Sequence, residues 1–190
     1  ALPICLTDTS SKLLIFTDDG MSYTINSAIV QNLGSDGIDI KKLCEIPSDA
    51  KILNITNFKN EEKVILFFTK YGRVKKTLIS ELVSNPFGIL SCKVKEKEDK
   101  IIYIGSIDEN SNYQCLIVTQ NGMSIRFGVD SVNLTGKMAS SVVGISLKEL
   151  DICTYTDLID EKYENKAELR LITHARDKKS LKLNEIKLQN

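Results

Sequence analysis

Four cations stand within seven residues at Lys70, Arg73, Lys75 and Lys76, and no acid interrupts residues 70–76. Arg126 and Lys137 follow, and Arg170, Arg176, Lys178, Lys179 and Lys182 gather near the end against Asp177 alone. Ammonium and guanidinium groups without counter-charges suit phosphate recognition, because they neutralise a polyanion and release its counterions. The whole-chain charge gives no such signal: 25 Lys and Arg face 25 Asp and Glu, for a net of zero. Any attraction for phosphate must therefore arise locally. The acids collect elsewhere, at Glu61-Glu62, Asp108-Glu109, and Asp160-Glu161 with Glu164, which predicts one basic and one acidic side. The plainer alternative is a set of solvated strand faces on which Lys protects the edges.

Other chemistries lack their parts. His174 is the single histidine and has no cysteine within twenty residues. The five cysteines, Cys5, Cys44, Cys92, Cys115 and Cys153, form no C-x-x-C, so no metal site is expected. Apolar neighbours suit four of them to the role of small buried hydrophobes. The pairs Asp18-Asp19 and Glu61-Glu62 place adjacent carboxylates on opposite strand faces, where they cannot share one substrate. No glycine-rich phosphate loop leads into a helix, and the six tyrosines are scattered over several repeat positions. The reading is a non-catalytic chain without cofactor. The longest apolar run, Val64 to Phe68, is too short to span a membrane. The chain opens on Ala1 with no legible leader, which fits a processed or excised cytoplasmic chain.

The elements that carry these cations repeat. Leu13-Leu14-Ile15-Phe16-Thr17-Asp18-Asp19-Gly20-Met21-Ser22-Tyr23 recurs as residues 65–75 and 115–125, and a worn copy, Leu169–Thr173, lacks the glycine. Thr17, Thr69, Thr119 and Thr173 lie 52, 50 and 54 residues apart. Each unit reads as a hairpin: an apolar strand buried on both faces, a turn closed by glycine, and a half-exposed return strand. Gly37-Ile38, Gly88-Ile89 and Gly144-Ile145 each introduce a further short strand, such as Ile38–Ile40 or Ile145–Leu147. Ile52–Ile55, Ile101–Ile104 and Ile152–Tyr155 supply another. Four strands in about 50 residues make one propeller-type blade. Single helical turns are expected at Ile79–Val83 and Leu147–Leu150, and a pairing or capping strand at Pro3–Thr7. The chain is thus expected to be one all-β domain, with repeats at about 13–63, 64–114 and 115–168 and a partial 169–190 that 1–12 could complete.

Two stretches resemble a known family. They are Phe67-Phe68-Thr69-Lys70-Tyr71-Gly72-Arg73-Val74-Lys75-Lys76-Thr77 with Ser80-Glu81-Leu82, and Asn121–Phe127 with Gly136-Lys137-Met138-Ala139 and Val143-Gly144-Ile145. This pattern is similar to the β-pinwheel repeat in the C-terminal domain of bacterial gyrase and topoisomerase IV A subunits. The likeness is good over about residues 10–150 and looser beyond. It implies a propeller-like disc whose basic rim bends or wraps double-stranded DNA through non-specific phosphate contacts. It also implies a neighbouring breakage-reunion core in the same polypeptide, a place beside the nucleoid, and an indirect link to the B subunit. Lys70, Arg73, Lys75, Lys76, Arg126, Lys137, Lys178 and Lys179 are the implied DNA-binding set. No Gln-Arg-Arg-Gly-Gly-type box is present, so gyrase and topoisomerase IV both fit. The link Gln31–Gly37 has no cation, and three full units are fewer than the family's five or six, which points away from tight wrapping. A propeller-like protein-interaction scaffold is the alternative function.

Overall fold

The computed structural model describes residues 5–31, 37–59 and 63–160 and the backbone of 181–182. The three apolar runs form β1 (Lys12–Thr17), β4 (Lys63–Thr69) and β8 (Tyr113–Thr119). Each turns back antiparallel into β2 (Met21–Asn26), β5 (Arg73–Leu78) or β9 (Met123–Gly128). The turns share one geometry. The amides of Gly20, Gly72 and Gly122 donate to the carbonyls of Thr17, Thr69 and Thr119, and each glycine has positive φ. That conformation costs glycine nothing and an L-side chain about 1–3 kcal/mol.

Each hairpin is completed on one side by its own unit, through β3 (Ile52–Phe58), β7 (Ile101–Asp108) or β11 (Cys153–Asp160). All three carry a bulge at the same place, at Leu53, Ile102 and Thr154, which sharpens the local twist. The other edge comes from the following unit. β6 (Ile89–Leu90) pairs with β2, β10 (Val142–Val143) with β5, and β12 (Leu181–Lys182) with β9. The result is three four-stranded sheets, ordered β3, β1, β2, β6, then β7, β4, β5, β10, then β11, β8, β9, β12. The sequence places four strands inside each repeat, whereas every sheet here borrows its last strand from the next.

Alternate side chains of the hairpins face opposite neighbours, as strand geometry requires. Leu14 and Phe16 join Ile65, Phe67, Ile101 and Ile104 between the first two sheets. Val64, Leu66 and Phe68 meet Ile117, Ile125 and Phe127 between the second and third. Phe16 and Phe67 pack edge to face with centroids 5.8 Å apart. Sheet stacking also overturns one expectation. The return strands are not half exposed; most of their middle residues are buried, and apolar clusters cover both faces of the first two sheets.

Several local expectations change as well. Ile40–Leu43 is a helical turn capped by Asp39, not part of a strand. The short strand near Gly144 precedes it, because the amides of Gly144 and Ile145 both donate to the Gly72 carbonyl and end the pairing there. Ile79–Leu82 is a helical turn, as expected, but Leu147–Leu150 is not, and Leu150 has φ of 62°. Cys5–Thr7 form no strand; the Leu6 carbonyl accepts from Asn57 Nδ2 instead. The fourth copy at 169–173, His174 and the greater part of the Gln31–Gly37 link lie outside the described residues. Among the described residues, no helix is long and apolar enough to cross a membrane.

Candidate nucleic-acid interface

The return strand β5 carries Arg73, Lys75 and Lys76, and pleating sends them different ways. Lys75 is only 2% exposed. Its ammonium donates to the carbonyls of Ser91 at 2.8 Å and Lys137 at 2.6 Å, so burial is offset by two charge-assisted hydrogen bonds. Desolvation still pushes its pKa down. Lys76 is half-buried, donates to the Val129 carbonyl at 3.0 Å, and is also lowered by desolvation. Arg73 is half-buried at the start of β5, paired with Val143 of β10. Its Nε donates to Ser141 Oγ at 2.9 Å, and a second guanidinium nitrogen donates to the Ser141 carbonyl. Lys70, in the turn, places Nζ 5.4 Å from the centre of the Tyr71 ring.

Arg126 sits one sheet on, at the place equivalent to Lys76, and is fully buried at 0% exposure. Lys137 is exposed on the loop that leads to β10. The sequence expectation of outward-facing side chains therefore fails at Lys75 and Arg126, both of which are buried. Lys178 and Lys179 lie outside the described residues.

The loop that presents Lys137 is fastened along its length. Thr135 donates to the Lys76 carbonyl through its amide at 2.9 Å and its hydroxyl at 3.1 Å. The Lys137 amide donates to Glu81 Oε2 at 3.0 Å. Glu81 and Ser141 carry no signal of this role in the residue pattern. Asp99 and Asp151 do: they stand two residues before β7 and β11 and are 52 apart. Both are buried and brace a hairpin turn. Asp99 Oδ1 accepts from the Tyr71 and Lys100 amides, and Asp151 Oδ1 from those of Asn121 and Ile152.

A family model described as DNA gyrase C-terminal domain, beta-propeller, matches residues 63–108 and 114–155. The first match runs from the start of β4 to the end of β7, and the second covers nearly all of β8, all of β9 and the start of β11. The chain belongs to the family of C-terminal domains found in gyrase and topoisomerase IV A subunits. The A subunit of DNA gyrase from Staphylococcus epidermidis is 29% identical over 188 residues, which is 96% of this chain and 20% of that protein. The A subunit of DNA topoisomerase 4 from the same species is 27% identical over 161 residues, or 81% of this chain and 20% of that one. The chain thus spans about a fifth of the length of those relatives. Among solved structures, the C-terminal domain of a DNA topoisomerase IV superposes with a TM-score of 0.70 at 25% identity, covering 80% of this chain and 48% of that one. The E. coli ParC C-terminal domain shares the fold, with a TM-score of 0.76 at 15% identity over 95% of this chain and 79% of that one. The β-pinwheel that the resemblance implied, built from the propeller-type blades read from the repeat, is thus the fold of this domain family.

Proposed function

We propose that this chain binds double-stranded DNA without sequence preference and bends it, as the C-terminal part of a type IIA topoisomerase A subunit. The observation that carries the reading is the acid-free run 70–76, which lies in the sheet matched by the family model. Lys70, Arg73, Lys76 and Lys137 are the described phosphate ligands, with Lys178 and Lys179 assigned to the same role. The remaining partners are the breakage-reunion core of the longer polypeptide and, through it, the B subunit. The longer protein would be an ATP-dependent topoisomerase acting at the nucleoid in the bacterial cytoplasm, with the strand-cutting chemistry outside this chain.

With about two to four phosphates neutralised, log K should fall with log salt at a slope of about −2 to −4. A labelled duplex of about 35 base pairs, titrated at several salt concentrations, measures that slope. Arg73→Ala and Lys76→Ala should weaken binding equally on unrelated sequences. Absence of binding at about 50 mM salt would sink the proposal. The scaffold reading would then take its place, favoured by the exposed apolar side chains of Phe87, Met138 and Leu150.

A further inference from the structure

The three basic residues of β5 each hold the single loop between Leu134 and Ser141, two through the side chain and Lys76 through its backbone. Arg73 holds Ser141 at its far end, and the Lys76 backbone holds Thr135 at its near end. The Lys75 ammonium holds the Lys137 carbonyl from beneath. Glu81 takes the Lys137 amide, so the peptide groups on both sides of that Cα are tied. The same Lys75 ammonium also holds Ser91, which belongs to the arm completing the first sheet. One buried charge therefore couples the arms of two neighbouring sheets. With its backbone pinned in this way, the loop turns the Lys137 side chain and Met138, 79% exposed, outward.

Resting on the DNA-binding reading above, we infer that this loop is a preset duplex contact. Lys137 takes a phosphate and Met138 lies against the sugars beside it. Lys75 is a positioning residue that sets both in place and touches no DNA. A polyanion is the occupant that fits the charge here. Exposed Lys137 and half-buried Arg73 and Lys76 surround the loop; Glu81 is engaged on the Lys137 amide, and Asp130 and Glu109 act on Lys76 rather than on Lys137 or Arg73. Fixing the backbone in advance removes an ordering cost from binding, so loss of the pin should appear as lost affinity.

The test is a double-mutant cycle in the 190-residue chain, read by salt titration of a labelled duplex of about 35 base pairs. Lys137→Ala should flatten the salt slope by about one unit. Lys75→Met should weaken binding roughly 3- to 10-fold with Lys137 present and less than about 2-fold in the Lys137→Ala background. The double variant should keep the slope of Lys137→Ala alone. Met138→Ala should lower affinity about 3-fold with the slope unchanged. Additive losses and a second unit of lost slope in the double variant would make Lys75 a phosphate ligand and overturn the inference. Indifference to Met138→Ala would remove the apolar contact. If Lys75→Met gives no cooperative melt, Glu81→Ala loosens the other tie from the exposed side, and an unchanged affinity there also overturns the inference. A wild-type chain that fails to bind at about 50 mM salt defeats the DNA-binding reading itself, whatever the variants do.

Discussion

Lys100 Nζ lies 2.8 Å from Asp18 Oδ2, and this pair joins the first hairpin turn to the head of β7 in the next sheet. The Asp18 backbone carbonyl accepts from the Ile101 amide at 2.9 Å beside it. Lys70 repeats the backbone link one sheet on, accepting from the Cys153 amide at 2.8 Å. Neighbouring sheets are therefore tied by the residue that follows the repeated threonine, whatever its side chain.

That pair makes the first sheet's docking acid-sensitive. Burial pushes the Asp18 carboxyl up, but the Lys100 ammonium and the Lys51 amide outweigh it and hold the pKa below the ordinary value. A lowered folded-state pKa means stability that is present above the unfolded value of about 4 and lost as pH falls through the folded one. Thermal melts from neutral to acid pH should show wild type losing more stability than Asp18→Asn. Parallel curves for the two proteins would show that the pair contributes nothing.

Two glycines with the same turn geometry should differ in tolerance. A Cβ on Gly20 would lie 2.1 Å from the Cys92 backbone oxygen, whereas among the described residues nothing lies within 4 Å of one on Gly122. Gly122→Ala should cost about 1 kcal/mol, the strain of positive φ alone. Gly20→Ala should cost about 3 kcal/mol or more, because it drives the exchanged arm away. Denaturant titration of the two variants measures the difference, and equal losses would mean that the arm does not lock the turn.

The thiols should divide sharply. Burial pushes Cys92 up to about 11 and Cys153 up to about 12, and raises Cys44. Thiolate is the reactive form, so a disulfide reagent at neutral pH should modify only exposed Cys5 quickly. The four buried thiols should follow at the rate of unfolding. Rapid modification of Cys92 in the native protein would show that the arm carrying it opens.

Much of this arrangement could be read from residues alone, because it rests on short-range rules. A threonine and a glycine three residues apart after an apolar run specify a hairpin turn wherever they occur, and their recurrence at 52 and 50 residues announced equivalent sheets. The strands that begin at Ile52, Ile101 and Cys153, and close one edge of each sheet, were legible for the same reason. The expectation for Ile38–Ile40 failed on an equally local point, since Asp39 caps a helical turn that outcompetes an isolated strand.

By itself, then, the sequence determined the unit: its length, its turn, its buried run and the family it matches. Only the tertiary structure decided which unit supplies the fourth strand of each sheet. Pairing of a two-residue arm is set by the edge it meets, not by its own composition. The tertiary structure also decided where the cations point. Polar residues alternating along a strand mark a solvent face only when one face of the sheet is wet. Here Lys75 and Arg126 are both buried. A lysine that looks like a phosphate ligand in the chain is, once the sheets stack, a buried donor to two carbonyls.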